Sequence, residues 1–352
     1  EYPFSFSAQP QEVQHVTVEP NGGQPISNET IKGYVELTKT DATYGGTLAN
    51  AVYGIYTENG TQAGTLTTDS SGYAKSGPLP YGSYYLQEIT APDGVVLDPN
   101  QYPFTINDQA TVLTMNQEDA SQQANILITK MGERLTGADQ SDTEFGPQYS
   151  PIYGVEALTG AVYEIYANED IYSPGGILLH STDDLVTTVN GGEVSTDLPL
   201  GEYRIVEKTA PEGFVLDTTP HIVDLTYKGQ NISVYTEPVT VHNERQKATV
   251  SITKAIEDNP IFPNPDAYQA IRFGIFSAQD FKNNSGTVAI PKDSLMDIIS
   301  INENLKGTSS VDLPIGNFYL RELQTAPGWA LDETEYPFSF SAQPQEVQHV
   351  TV

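Results

Sequence analysis

Short runs in which Val, Ile, Leu, Thr, Tyr and Phe alternate with polar residues recur along the chain, divided by turns rich in Gly, Pro, Asn and Asp. A period of two puts one apolar set on one face of an extended strand, so the pattern predicts β-structure rather than helix. Three strands carry a single lysine near their ends: VELTKTD at 35–41, NILITKMGE at 125–133 and TVSITKAIE at 249–257. A second strand follows each, ANAVYGIYT at 49–57, TGAVYEIYA at 159–167 and AIRFGIFSA at 270–278. Val-rich strands ending in Asn, TVLTMN at 111–116 and VTVHN at 239–243, close the first two groups. Many short strands at regular spacing predict sandwiches. Extra loops are expected at 132–156 and 168–192, and one short helix at 291–299.

Repeats sharpen the picture. The first eighteen residues, EYPFSFSAQPQEVQHVTV, return unchanged as residues 335–352. Chance does not produce that match, so the sequence reads as a piece of a longer array built on this unit. A shorter signature occurs three times: LPYGSYYLQEITAPDGVVLD at 79–98, LPLGEYRIVEKTAPEGFVLD at 198–217 and LPIGNFYLRELQTAPGWALD at 313–332. In each, a Leu-Pro-x-Gly turn leads into an alternating strand with a Glu near its end and an Ala-Pro turn behind it. The expected organisation is a closing strand of a preceding repeat at 1–18, a polar linker at 19–30, and sandwich domains at 31–119, 120–245 and 246–352. The fold class is all-β, three tandem immunoglobulin-like sandwiches in an elongated array.

Composition excludes several functions. Of 352 residues, 46 are acidic and 16 basic, a formal charge of −30. Such a surface repels a nucleic-acid backbone and an anionic membrane alike. No apolar run approaches the length of a membrane span. There is no cysteine, so if these domains work outside the cell something other than disulfides must stabilise them. The histidines His15, His180, His221, His242 and His349 lack zinc-ligand spacing, and no metal or cofactor is expected. No nucleophile elbow, P-loop or dinucleotide fingerprint appears. The LPYGS, LPLGE and LPIGN segments lack the Thr of a sortase signal and read as turns that lead into strands.

Lysine in the first strand, LxxAxYxIY in the second, LPxGxYxLxExxAPxG and a terminal VxVxN together resemble the CnaB (SpaA-type) family of Gram-positive surface adhesins and pilins. The resemblance runs from 31 to 352, three times over. It implies a spontaneous intramolecular isopeptide bond between Lys and Asn, assisted by Glu. Carried across residue by residue, it implies Lys39–Asn116 with Glu88, and Lys130–Asn243 with Glu207. In the third domain it implies Lys254 with Glu322 and no partner within the chain, Asn21 of an adjoining copy being the candidate. Burial lowers a lysine's pKa and frees its lone pair, while the same apolar surroundings keep a carboxyl protonated, able to polarise the Asn carbonyl and pass a proton to departing ammonia. This is a single turnover, not enzymatic catalysis.

The resemblance therefore implies a structural stalk or shaft segment on a bacterial cell surface. The alternative is an adhesin module that recognises a host protein or glycan, with Trp329 and the tyrosines as stacking surfaces. Neighbouring copies of the same chain are the expected partners, by strand exchange through 1–18. Neither nucleic acid nor a membrane is expected as a partner.

Overall fold

The computed structural model describes residues 28–257, 260, 263–343 and 348–352. The duplicated segment 1–18 and linker residues 19–27 lie outside them. The protein is built from β-strands, and among the described residues no helix is long and apolar enough to cross a membrane. The chain divides into two compact units, one running to Ser121 and taking in 174–177 and 229–231, the other holding the remainder.

The first unit is one sandwich. Its first sheet joins β1 (Lys32–Asp41) to β4 (Tyr73–Lys75), β5 (Leu79–Pro80) and β8 (Val112–Asp119). Its second has the order β3 (Gln62–Thr67), β2 (Val52–Thr57), β6 (Gly82–Thr90), β7 (Gln101–Ile106). Strict alternation in β1 turns Val35, Leu37, Lys39 and Asp41 inward, so lysine occupies a core position by the same periodicity that buries its apolar neighbours. Val35, Leu37, Tyr53, Ile55, Leu86 and Ile106 form the core between the sheets. The first and last strands run parallel, with Lys39 opposite Gln117.

The second unit holds two further cores. Around the first lie β9 (Gln123–Thr143), β15 (Leu198–Pro199) and β18 (Val234–Asn243), facing β14 (Leu185–Asn190), β11 (Val162–Ala167), β16 (Gly201–Thr209) and β17 (His221–Leu225). β18 runs parallel to β9, with Lys130 opposite Val241. Around the second lie β24 (Lys306–Thr308), β19 (Ala248–Thr253) and β27 (Gln348–Thr351). These face β23 (Leu295–Ser300), β20 (Arg272–Ser277), β25 (Gly316–Gln324) and β26 (Tyr336–Phe340). β27 is parallel to β19 and reaches as far as Ser251 opposite Thr351. Two small hairpins complete the set, β12 (Ile171–Tyr172) with β13 (Leu178–His180), and β21 (Phe281–Lys282) with β22 (Val288–Ile290).

Three expectations are corrected. Residues 132–156 are not a loop: β9 continues far past its lysine and pairs antiparallel with β10 (Gly146–Ala157), from Thr143 opposite Gly146 to Met131 opposite Ala157. The arm reaches onto the next sandwich, where Leu135, Ala138 and Tyr149 pack against its core and Gln148 pairs with Leu295 of β23. Residues 168–192 likewise contain β12, β13 and β14. The helix expected at 291–299 is instead mostly β23. There Ile275 faces Asp297 and Phe276 faces Leu295, so Met296 is the extra residue of a bulge. A bulge breaks strict alternation, which left the apolar spacing of Leu295, Met296 and Ile299 looking helical.

Candidate functional site

In the second sandwich, Lys130 on β9 and Asn243 at the end of β18 come from one sheet, and Glu207 on β16 comes from the sheet facing it. Asn243 lies two residues beyond the position opposite Lys130, so the pleat turns both side chains to the same inner face. All three residues are at most 5% exposed. Lys130 Nζ donates to Asn243 Oδ1, and Glu207 Oε1 lies 3.0 Å from Nζ. Asn243 Nδ2 donates to Glu207 Oε2 at 2.8 Å. Burial pulls the Lys130 amine below its ordinary pKa, against the opposing pull of Glu207. Tyr163, directly opposite Glu207, lies with its ring 5.7 Å from the ammonium.

The sequence reading put Glu207 on the Asn carbonyl oxygen. The structure places its carboxyl between the two nitrogens, one oxygen toward Nζ and the other holding Nδ2. That is the line along which a proton would pass from amine to departing ammonia.

The first sandwich builds the same site with a different acceptor. Asn116 points to solvent, because the buried face of the last strand runs through Gln117 and Asp119. The Lys39–Asn116 pairing is therefore corrected. Lys39 Nζ contacts Asp119 Oδ1, donates to the Tyr53 hydroxyl at 2.8 Å, and lies 3.5 Å from Glu88 Oε1. Asp119 stands two residues beyond the position opposite Lys39, the same offset as Asn243. Burial pushes the Glu88 carboxyl up to about 7 and raises Asp119 as well, because desolvation disfavours the charged form.

The third sandwich brings Lys254 and Glu322 together, Nζ standing 3.3 Å from Oε1, with Phe273 where the other two have Tyr. A cavity of about 300 Å³ adjoins Lys254, lined also by Phe273, Asp332, Tyr336 and Val352. Among the described residues no Asp or Asn is bonded to Lys254 Nζ, and its side chain is 21% exposed. Asn21, the candidate from an adjoining copy, lies outside the described residues. Trp329 packs against the third core and donates from its indole to the Glu257 carbonyl at 3.1 Å.

Comparison with known proteins identifies the family. The family described as SpaA, a prealbumin-like fold domain, matches residues 33–120 and 152–240. The chain belongs to this SpaA family. No curated protein matches it. The Bacillus anthracis TIE protein shares the fold with a TM-score of 0.58 at 19% identity, covering 92% of this chain and 50% of that one. This chain thus spans half the length of that relative. BcpA, the major pilin subunit of Bacillus cereus, aligns with a TM-score of 0.37 at 16% identity over 91% of this chain and 98% of BcpA. For the shaft pilin SpaA of Lactobacillus rhamnosus GG the values are 0.25, 13%, 61% and 98%.

Sequence reasoning missed two residue sets in these SpaA domains. Asp119 was findable, since counting by two from Leu113 and Met115 reaches it and bypasses Asn116. The other set is the Asp that ends each signature, Asp98, Asp217 and Asp332. Its place ten residues after the Glu in all three copies was the available signal.

Proposed function

We propose that this chain is a shaft segment of a Gram-positive cell-surface adhesin or pilus-like fibre, a structural element outside the cell rather than an enzyme. In this reading each of its first two sandwiches is hardened by an intramolecular isopeptide bond, Lys39–Asp119 assisted by Glu88 and Lys130–Asn243 assisted by Glu207. The observation that carries the reading is the buried set of Lys130, Asn243 and Glu207, in which a carboxyl spans the amine and the amide nitrogen.

The chemistry balances as follows. Neutral Nζ of Lys130 attacks Cγ of Asn243, the Nζ–Cγ bond forms and the Cγ–Nδ2 bond breaks. One proton leaves Nζ through Glu207 to Nδ2, and one ammonia departs. At Lys39 the acceptor is the neutral acid of Asp119, so a Cγ–O bond breaks and one water departs. Burial favours the uncharged Lys130 amine at the one site and raises the Glu88 and Asp119 carboxyls at the other, and the fold supplies the high effective molarity.

Each bond would join the first strand of a sandwich to its last. Pulling on the ends of that domain would then load a covalent bond instead of peeling strands apart. The 113 positions separating Lys130 and Asn243 could extend by about 400 Å if unlinked. Single-molecule pulling tests the reading. The unsubstituted chain is expected to lack that extension, and Glu207→Ala to restore it. Full extension in the unsubstituted chain would contradict the proposal.

Register supports Lys254 staying unbonded by its own array. If the chain continued past Val352 as it does past Val18, the next four residues would be Glu, Pro, Asn and Gly. Counting on from Ser251 opposite Thr351 puts Gly at the acceptor offset used by Asp119 and Asn243. The Asn then falls one residue short, on the opposite face.

A further inference from the structure

We infer that Asp98 and Asp217 are positioning residues for the assisting carboxyl, and that Asp332 holds Glu322 in the same way. The inference rests on the isopeptide reading above. In all three sandwiches the backbone N–H of this Asp donates to Oε2 of the Glu, at 2.9 Å from Asp98 to Glu88, 2.8 Å from Asp217 to Glu207 and 2.9 Å from Asp332 to Glu322. Oε1 takes no hydrogen bond of good geometry in any of them and faces the lysine Nζ, at 3.5, 3.0 and 3.3 Å. Oε2 is anchored by that backbone N–H, and it also holds Asn243 Nδ2 at 2.8 Å in the second sandwich and accepts from Lys254 Nζ at 3.3 Å in the third, while Oε1 has no such anchor.

The Asp side chain locks the turn that aims its own N–H. Oδ1 accepts from the backbone two residues on, from Asn100 at 3.0 Å, Thr219 at 2.9 Å and Thr334 at 3.0 Å. Oδ2 bonds the side chain four residues on, Tyr102, His221 and Tyr336. Such Asx turns fix the local backbone. The hydroxyl of Tyr336, with the Thr334 bonds, holds the Asp332 carboxyl down to about 2, so the turn keeps its anionic acceptor at neutral pH.

The third sandwich separates cause from consequence. Its clamp is fully formed although, among the described residues, no Asp or Asn is bonded to Lys254. The clamp therefore does not need a bonded acceptor in order to form. Preorganisation of this kind matters because a misplacement of about 1 Å can cost on the order of a hundredfold in rate.

The test follows ammonia loss in the second sandwich by intact mass after synthesis of the full chain, for Asp217→Ala, Asp217→Asn and the parent. Asp217→Ala is expected to slow cross-linking by on the order of ten- to a hundredfold. Asp217→Asn keeps the Oδ1 acceptor for Thr219 and is expected to recover most of the parental rate. The structural cost is read separately, as the melting shift Asp217→Ala causes in a Glu207→Ala background that forms no bond. Parental speed in Asp217→Ala would overturn the positioning role alone, as would slowing that matches the unfolded fraction seen by circular dichroism. A parent that never loses ammonia would overturn the isopeptide reading and this inference with it.

Discussion

Lys39 and Lys130 occupy equivalent core positions, yet one faces a carboxyl and the other a carboxamide, so on cross-linking the two sites would differ in what leaves. Asp119→Asn is expected to keep the link in the first sandwich and exchange a lost water for a lost ammonia, resolvable by intact mass. Asn116→Ala is expected to change neither, because that side chain faces solvent. The Glu88 carboxyl, raised to about 7 by burial, adds a pH dependence. Above that pH it surrenders the proton needed by the departing water, so the initial rate of water loss is expected to fall as pH rises through about 7. A pH series on freshly refolded, unlinked chain checks it, and a rate still climbing well above neutrality would contradict it. At this scale the lysines and the glutamates that face them were legible in the sequence, since each sits in a repeated signature. The sequence reading misplaced the first acceptor because the VxVxN family pattern points to Asn116, although Leu113 and Met115 already marked the inner face.

The arm formed by β9 and β10 was illegible for a different reason. Beyond Glu133 its residues do not alternate cleanly, because the strand is specified by its antiparallel partner and by the neighbouring sandwich rather than by its own apolar face. Within the second unit the joint is pinned by Arg245, which pairs with Asp312 and stacks 3.8 Å above the Tyr153 ring, while the Tyr153 hydroxyl donates to the Asp312 carbonyl at 2.9 Å. Arg245 is 7% exposed as a side chain and Asp312 is 41% exposed, so the pair sits between a surface bridge and a buried one. Arg245→Ala is expected to cost about 1–3 kcal/mol, read as a lower denaturant midpoint. No change in that midpoint would remove Arg245 from the joint. β23 teaches the same lesson: with one face on the core and Leu295 under the arm near Phe145, it lacks the half-exposed alternation that identifies a strand.

For the molecule as a whole, covalent links from first strand to last would do what cysteine, absent here, does in other secreted proteins. By the loop-entropy reasoning used for disulfides, closing such a loop stabilises a domain on the order of 4 kcal/mol, and an amide resists the reductants that open a disulfide. The charge of −30 makes copies repel one another in solution. The central claim is that two lysines have fused with two acceptors, and intact mass with peptide mapping tests it most directly. The account predicts a chain lighter than its sequence by one water and one ammonia, with Lys39 recovered joined to Asp119 and Lys130 joined to Asn243. A chain at full sequence mass, with all four residues on separate unmodified peptides, would contradict it.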